Sequence, residues 1–221
     1  WAEMNVKVYP SINASYRFGD AWKVYASYNT SLRMPSVTEL FYSVGGHKAD
    51  PNLKAEELSA VEVGVKYNKK GLSGTVSSFY NHHTNLIDWI DDGEKDAAGA
   101  ILWKSVNFGT INALGFETTL NADFRQLLPS QKLLKSFSVG YCFIQQHQIE
   151  AAGIHSLYAL EYLKNKVTSS LQLNLWKALD LNVNYRFQHR MGTYKDPSGA
   201  LHRYGSYGIL DARLAWNMPK Y

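Results

Sequence analysis

Residues 167–187 alternate between apolar and polar side chains through two strand lengths and the connection between them. In the first segment Leu171 and Leu173 point one way, and Gln172 and Asn174 point the other. A period of two places successive side chains on opposite faces of a β-strand, so each segment has one apolar and one polar face. Each segment also continues for about ten residues, which suits a tilted crossing of a lipid bilayer. The pattern therefore indicates a membrane β-barrel.

The same alternation recurs along the chain and predicts about nine strands. They are expected at 5–18, 22–31, 58–68, 72–82, 112–124, 136–147, 164–176, 179–190 and 207–217. Short connections at 19–20, 68–71 and 177–178 alternate with long ones at 32–57, 83–111, 148–163 and 191–206, and 125–135 is a medium turn at a short position. Bacterial outer-membrane barrels have short periplasmic turns and long extracellular loops. The alternation predicts an all-β, antiparallel transmembrane barrel whose long loops face outwards.

Composition supports this interpretation and excludes others. The 221 residues are 14% aromatic and 45% hydrophobic, and no run approaches the eighteen uncharged apolar residues of a membrane-spanning helix. The net charge of +4 comes from Lys and Arg scattered among Asp and Glu, which is not the footprint of a nucleic-acid-binding protein. A single cysteine, Cys142, excludes an intrachain disulfide framework.

Aromatic and charged residues occupy consistent places in the predicted strands. Five aromatics lie next to the short turns and predict an aromatic girdle at the lipid headgroups, although such residues are also simply common in strands. They are Trp22, Tyr67, Phe124, Trp176 and Trp216. The strand charges mostly share the parity of polar neighbours, so they are expected to line the lumen. They are Lys7, Arg17, Lys23, Glu62, Lys66, Glu117, Asp123, Asp180, Arg186, Asp211 and Arg213.

A series of short motifs resembles the TonB-dependent outer-membrane receptors. In that family a segment R-x-P-S-x-x-E-L precedes N-P-x-L-x-x-E and a strand containing E-x-G. The matching residues are Arg33, Pro35, Ser36, Glu39, Leu40, Pro51, Asn52, Leu53, Glu56, Glu62 and Gly64. Further matches follow in order at 85–89, where an upward strand is expected to end, and at Asn107, 111–112, 115–117 and 210–212. Asp50 stands where Asn is more usual and Ala55 where Pro is common. The ordered matches cover nearly the whole chain.

The resemblance implies a 22-stranded barrel around an N-terminal plug domain, driven by a TonB-type inner-membrane complex. Residues 1–221 are then expected to be part of the barrel, without the plug and the final strands. The implied partners are that plug, the TonB complex, outer-membrane lipid and a small nutrient, with no nucleic acid. Glu62, Glu117 and Arg186 would face the lumen and the plug, although pairing with lumen Lys or Arg is the simpler interpretation of the two carboxylates.

In this family the ligand binds to extracellular loops and plug apices, so the long loops supply the candidate contacts. They are Trp89, Trp103, Tyr194, His202, Arg203 and Tyr204. The residue order at 158–160, 164–167, 185–187, 190 and 194–196 is similar to vitamin B12 receptors, and some siderophore receptors share it. The expected function is energy-coupled uptake of cobalamin or an iron–siderophore across the bacterial outer membrane. The alternative is a passive pore or a surface-binding barrel module without energy coupling.

Other chemistry receives little support from the sequence. His82 and His83 lie near acidic residues, but neighbours on a strand point to opposite faces and cannot chelate one ion without a bulge. The acidic stretch 91–96 could bind Ca²⁺, but a solvated acidic loop is the simpler interpretation. No Ser/His/Asp framework recurs, so neither an enzyme nor a resident cofactor or metal is expected.

Overall fold

The computed structural model describes residues 7–148, 155–156, 161–196 and 198–217 of the chain. These residues form fifteen strands and two short helices. In chain order they are β1 (Ser11–Phe18), β2 (Trp22–Arg33), α1 (Val37–Phe41), β3 (His47–Lys48), β4 (Glu56–Lys69), β5 (Leu72–Thr84), β6 (Ile87–Asp91), β7 (Trp103–Asn107), β8 (Ile111–Asp123), α2 (Phe124–Leu127), β9 (Leu134–Gln148), β10 (His155–Ser156), β11 (Leu163–Trp176), β12 (Leu179–Arg190), β13 (Thr193–Lys195), β14 (Leu201–Arg203) and β15 (Ser206–Trp216). Neither helix of the described segments is long and apolar enough to cross a lipid bilayer.

Nine of these strands form one antiparallel sheet, which confirms the predicted fold class and strand number. Its order is β1-β2-β4-β5-β8-β9-β11-β12-β15, so each strand pairs with the strands of this sheet that precede and follow it in the sequence. Strands β11 and β12 keep a regular register from Val167–Phe187 to Asn174–Asp180. The sheet is therefore a meander with β1 and β15 at its edges, joined alternately by short turns and long connections.

The two faces of this sheet differ sharply in chemistry. One register row joins Ile12, Tyr28, Val61, Tyr80 and Leu114, whose exposed fractions lie between 39% and 65%. In a soluble protein such a continuous apolar row would be unusual, whereas a membrane barrel presents it to lipid. We call this the apolar face.

The next register row lies on the opposite face and is largely polar. It joins Asn13, Ser27, Glu62, Phe79 and Gly115. The predicted lumen charges from Arg17 to Arg213 share this parity, and we call this side the polar face. Charge is thus kept off the side that faces hydrocarbon, where each exposed charge costs about 2–4 kcal/mol near the midplane.

Two glycines of the polar face allow aromatic rings to lie flat on the sheet. A Cβ on Gly64 would lie 2.5 Å from the Tyr25 ring, and one on Gly115 would lie 2.0 Å from the Phe79 ring. A ring that covers a glycine on the neighbouring strand shields the exposed backbone. This contact gives a physical reason for the glycines in the E-x-G and G-F-E motifs.

The long connections contain regular structure that the alternation pattern does not predict. Strands β10, β6, β7 and β3 form a separate four-stranded sheet, and β13 pairs with β14. We call these two units the loop sheet and the outer hairpin. The expectation that 85–89 ends an upward strand is wrong, because the chain turns at Asn85, where φ is +52°. Asn adopts this left-handed conformation more readily than most residues, which allows β6 to begin anew at Ile87.

Helix α1 could have been predicted from the sequence. Its N-cap is Ser36, whose side chain accepts a hydrogen bond from the Glu39 backbone N–H, while the Glu39 carboxylate accepts one from the Ser36 N–H. This reciprocal pair is the capping box, and its sequence signature is S-x-x-E. The family motif therefore contains a helix start that strand alternation alone does not reveal.

Two predicted strand ends also need correction. The strand expected at 5–18 begins at Ser11, and Lys7 lies ahead of it and pairs with Glu57. At the short-turn end of β8, Phe124 begins α2 instead of ending the strand. Asp123 is the N-cap and accepts the Arg125 N–H at 3.1 Å, which explains why the chain leaves the strand there.

Four members of the predicted aromatic girdle do lie on the apolar face at the short-turn end. Trp22 and Tyr67 pack with their ring centroids 4.7 Å apart. Trp176 and Trp216 are both in register with Leu179 and are 74% and 70% exposed. Only Phe124, which belongs to α2, departs from the expected position.

Candidate functional site

The long-loop end of the sheet carries two distinct groups of side chains. The first attaches the loop sheet to the ends of β2 and β4, and the second surrounds the outer hairpin.

A single arginine joins three segments at the start of the loop sheet. Arg33 donates from Nε and Nη2 to both oxygens of Glu56 at 2.7 Å, and from Nη1 and Nη2 to Glu39 at 3.1 Å. Glu56 Oε1 also accepts the Ile87 N–H at 2.7 Å. We call Arg33, Glu39 and Glu56 the rim clip. Bidentate arginine–carboxylate pairs fix geometry as well as charge, so the clip holds α1 and β6 against the end of β4.

The electrostatics of the rim clip favour its charged form. Burial alone would raise the pKa of Glu39, but hydrogen bonds from Arg33 and Ser36 outweigh it and hold the pKa below its usual value. Hydrogen bonds to Glu56 and then Glu39 raise the pKa of the Arg33 guanidinium further above its ordinary range. Arg33 and Glu39 therefore stay ionised through neutral pH.

Asn107 makes a second link across the same region. Its Oδ1 accepts the Lys54 N–H at 2.8 Å, and its Nδ2 donates to the carbonyls of Lys54 at 3.0 Å and Asn85 at 2.8 Å. One amide thus satisfies backbone groups from two loops far apart in sequence. Asn107 was one of the matches to the family motifs, but its hydrogen-bond partners Lys54 and Asn85 could not be inferred from the positions of the motifs in the sequence.

A buried apolar cluster lies where the loop sheet meets the start of β8. It consists of Ile90 of β6, Phe108 from the connection after β7, and Ile111 of β8, and each is no more than 7% exposed. Asp88 is 2% exposed and accepts a hydrogen bond from Ser156 of β10. This packing makes the loop sheet a small folded unit on top of the barrel wall.

Two predicted ligand contacts belong to this folded unit. Trp89 is 9% exposed, and its ring lies edge-on to His47 with centroids 5.2 Å apart. Trp103 is half-buried and in register with His47 on β3. Their position indicates packing within the loop sheet, and their role in ligand binding stays a prediction.

Carboxylates of the acidic stretch 91–96 accept hydrogen bonds from other groups of the chain. Lys104 Nζ donates to Asp92 at 2.8 Å and also pairs with Glu94. The hydrogen bonds that Lys104 donates to Asp92 and Glu94 raise its pKa. Asp91 and Asp96 accept backbone N–H groups of Gly93 and Ala98, each at 2.9 Å.

Metal-ligating side chains do not gather elsewhere on the described chain. His82 Nδ1 lies 2.7 Å from Asn112 Oδ1, whereas His83 is on the other face of β5. Across the described ranges, no group of three or more His, Cys, Asp or Glu residues has the arrangement of a metal site. Binding of Ca²⁺ by the stretch 91–96 stays a prediction.

Four planar side-chain groups lie one after another in space beside the outer hairpin. The Arg190 guanidinium lies 4.9 Å from the Tyr204 ring centroid, Tyr204 lies 5.3 Å from Tyr194, and Tyr194 lies 5.5 Å from His202. The two ring–ring pairs are inclined by 34° and 28°. We call Arg190, Tyr204, Tyr194 and His202 the aromatic stack.

A carboxylate holds each end of the aromatic stack. Glu161 accepts from Arg190 Nη2 at 2.7 Å and from the Tyr204 hydroxyl at 3.1 Å. Asp196 lies 2.8 Å from His202 Nε2. Hydrogen bonds from Ser198 and then His202 lower the pKa of Asp196 to about 2. The stack is therefore fixed in position without a ligand.

The aromatic stack borders a cleft of about 580 Å³. Its walls include Glu161, Gln188, Arg190, Tyr194, Tyr204 and Tyr207. Gln188 and Tyr207 are in register and share the parity of Arg186, so the cleft opens above the polar face. A molecule that descends along that face would pass these side chains first.

The structure divides the predicted ligand contacts. Tyr194, His202 and Tyr204 lie together in the stack, while Arg203 is in register with Thr193 on the opposite face of the hairpin. Glu161, which holds one end of the stack, was not among the predicted contacts because it lies 29 positions from Arg190 in the sequence. Residues 158–160 of the cobalamin-like order lie outside the described residues.

The predicted lumen residues also have definite positions. Glu62 accepts the Tyr25 hydroxyl at 2.6 Å, and Glu117 accepts the Cys142 thiol at 3.4 Å. Arg186 lines a polar concavity of about 400 Å³ formed by β8 to β15. All of these lie on the polar face, and contact with a plug stays a prediction.

The chain matches a family model over nearly all of its length. The model is described as "TonB dependent receptor-like, beta-barrel" and covers residues 3–221. The names of similar solved proteins are those of receptors and transporters rather than enzymes.

Three solved structures illustrate the similarity. The siderophore receptor PirA from Pseudomonas aeruginosa is 18% identical, with a TM-score of 0.68 over 96% of this chain and 36% of that one. A ferric enterobactin receptor (PfeA) variant from the same species, in complex with enterobactin, is 20% identical, with a TM-score of 0.69 over 96% and 33%. The FrpB iron transporter from Neisseria meningitidis is 18% identical, with a TM-score of 0.64 over 95% and 32%. The chain thus spans about a third of the length of these proteins.

Proposed function

Because this chain belongs to the TonB-dependent receptor-like β-barrel family, we propose that it forms one wall of an energy-coupled nutrient receptor. Receptors with this barrel are outer-membrane proteins of Gram-negative bacteria, and the chain is an outer-membrane protein. The proposed activity is ligand-gated uptake of a scarce nutrient. The barrel segment would contribute lumen wall and extracellular ligand contacts.

The observation that supports this proposal best is the separation of the two faces of the nine-stranded sheet. One face is apolar and exposed over several adjacent strands, and the other carries the strand charges. Such a sheet suits lipid on one side and an aqueous or protein-filled lumen on the other. The folded loops at one end suit selective recognition of a ligand.

The polar face is suited to contact with a plug domain of the full-length protein. Glu62 and Glu117 lie two strands apart on that face, with Ser77 between them and 4% exposed. These carboxylates would attract basic side chains of the plug. A TonB-type inner-membrane complex would supply the force that displaces the plug, as the family resemblance implies.

We propose an iron–siderophore complex as the ligand and keep cobalamin as the alternative. The names of the similar structures support iron–siderophore uptake, although identities of 18–20% are evidence of fold alone. Cobalamin is supported by the residue order at 164–167 and 185–187. Both ligands are larger than ordinary porin solutes and scarce enough to need tight binding.

The test uses the full-length receptor that contains this chain, in outer-membrane vesicles and in cells. The probes are a ferric tris-catecholate, a ferric tris-hydroxamate and cyanocobalamin. We expect saturable binding of at least one iron chelate, and accumulation that stops when an uncoupler removes the proton-motive force. Saturable binding of cyanocobalamin alone would establish the alternative ligand.

A different pattern would contradict energy-coupled uptake. If the probes entered without saturation and regardless of the uncoupler, the chain would belong to a passive pore. If a probe bound saturably but never accumulated, the protein would be a surface-binding module. Measuring binding and accumulation on the same preparation separates these outcomes.

A further inference from the structure

The short turn between β11 and β12 carries a lysine next to two exposed indole rings. Lys177 lies in this turn and is itself exposed. Trp176 of β11 and Trp216 of β15 are each in register with Leu179 of β12, which is half-buried between them. Two strand spacings, about 10 Å, separate the two tryptophans. We call Trp176, Lys177, Leu179 and Trp216 the indole notch.

An apolar strip continues from the indole notch along the apolar face. The next register row on this face joins Leu173, Leu181 and Leu214 on the same three strands. Leu214 is 61% exposed, whereas Leu181 is half-buried between its two neighbours. The surface above Leu179 and Leu181 is therefore a shallow apolar track that leads from the lysine towards the middle of the bilayer.

The positive charge of the indole notch is not neutralised by the described part of the chain. Lys177 belongs to none of the ion pairs between described residues. Asp180, the acidic residue nearest to it in sequence, lies on the polar face and accepts Lys135 Nζ at 2.6 Å. The amides of Asn174 and Asn217 also donate to this carboxylate, at 2.9 Å and 3.1 Å. Asp180 is thus already engaged on the opposite side of the sheet.

We propose that the indole notch is a binding site for an acidic glycerophospholipid of the periplasmic leaflet, the leaflet that short barrel turns face. The Lys177 ammonium group donates to phosphate oxygens of the headgroup, and the two indole N–H groups are further donors at the same level. One acyl chain lies over Leu179 and Leu181. An acidic headgroup is preferred to a zwitterionic one, because the notch offers a cation and no carboxylate for an ammonium group. This site is on the lipid side of the wall and is independent of the transported ligand.

A second lysine on the apolar face supports this proposal. Lys69 lies two positions beyond Tyr67 on β4, so it shares the face of the Trp22–Tyr67 pair, and it is in register with Leu72. It is exposed and outside the ion pairs of the described residues. A lysine on a lipid-facing row is costly unless its ammonium group reaches the headgroups. Two short turns therefore combine exposed aromatic rings with a cation on the lipid side.

The experiment places the full-length receptor in vesicles of phosphatidylglycerol and phosphatidylethanolamine in equal parts, with one of the two lipids brominated in its acyl chains. Bromine quenches the fluorescence of tryptophans that it contacts. The signal of the notch is the difference between the receptor and its Trp176→Phe/Trp216→Phe double variant. We expect brominated phosphatidylglycerol to quench this signal more than brominated phosphatidylethanolamine does, with about fivefold tighter binding, as one lysine beside an acidic lipid provides.

Three substitutions test whether Lys177 causes this preference. Lys177→Gln, measured against the double variant that carries the same change, should bind the two lipids equally. Lys177→Arg keeps the positive charge and should retain the preference. Lys66→Gln is the matched control, because Lys66 is an exposed lysine of β4 on the polar face. It should leave the preference unchanged.

Each remaining outcome would overturn the phospholipid site. Equal quenching by both lipids in the unaltered receptor would mean that the notch contacts only ordinary boundary lipid. A preference that survives in Lys177→Gln, or that disappears in Lys66→Gln, would assign it to other charges of the barrel. Absence of quenching by either lipid would mean that protein covers the notch. None of these results bears on nutrient uptake, which is measured separately.

Discussion

The loop sheet and the outer hairpin lie at the same end of the barrel wall but are stabilised differently. The loop sheet packs on the start of β8 through the buried cluster of Ile90, Phe108 and Ile111, and the rim clip joins it to β2 and β4. The outer hairpin has two strands of three residues each, with exposed rings held at their ends by Glu161 and Asp196. The first unit is built on packing, and the second on surface hydrogen bonds and stacking.

This difference predicts how substitutions in each unit of the long-loop end would affect the protein. Changes in the loop sheet disturb a core and several backbone hydrogen bonds, so they should alter its stability. Changes in the outer hairpin remove ring surface from a cleft, so they should alter binding with little effect on folding. Three predictions test this contrast, from the largest expected effect to the smallest.

Phe108→Ala should have the largest effect. Phe108 is 7% exposed in the buried cluster between the loop sheet and β8, and its truncation leaves a cavity that costs about 3 kcal/mol of local stability. Amide hydrogen exchange of β6 and β7 should accelerate accordingly, while that of β11 and β12 stays unchanged. Unchanged protection in β6 and β7 would show that this cluster does not hold the loop sheet.

Asn107→Ala should have an intermediate effect. The change leaves the Lys54 N–H and the carbonyls of Lys54 and Asn85 without their amide partner, at a cost of about 1–2 kcal/mol. Exchange should accelerate at the amide of Lys54 and across β6. Asn121→Ala, on the polar face of β8, is the matched control and should leave both regions protected.

Acidification should have the smallest effect and act on the outer hairpin. The pKa of Asp196 is about 2 when folded and 3.8 ordinarily. A lowered folded-state pKa means that ionised Asp196 stabilises the hairpin fully above pH 3.8, and that this contribution disappears as the pH falls through 2.

The measurement is tyrosine fluorescence of the hairpin between pH 5 and pH 2, compared between the unaltered chain and Asp196→Asn. The unaltered chain should show a change in this window that the variant lacks, because the amide does not titrate. The same change in both proteins would assign it to another carboxyl group.

Much of the barrel wall was predictable because its signal is local. The predicted strand 179–190 coincides with β12, and most other predicted ends lie within about two residues of the observed ones. A period of two is set by the backbone of each strand, so it can be detected without knowledge of any partner. The exceptions at Lys7 and Phe124 arose where chain ends and caps replace the strand pattern.

The candidate site was less predictable because its contacts are remote in sequence. Asn107 bonds Lys54 across 53 positions, and Tyr204 bonds Glu161 across 43. The sequence analysis offered Tyr194, His202 and Tyr204, which lie together, and Trp89, which the loop sheet nearly buries, as equivalent candidates. Nothing in the local pattern distinguishes an aromatic residue that packs from one that lines a cleft.

The sequence by itself determined that this protein is an antiparallel sheet with one apolar and one polar face, since side-chain alternation requires no long-range information. Its ordered motifs also pointed to the receptor family that the comparison then established. The tertiary structure alone decided that Arg33 joins three segments, that the long loops fold into a second sheet, and that four planar groups meet beside Glu161. These features depend on which distant segments pack together, and that is settled by the free energy of the whole fold rather than by any local pattern.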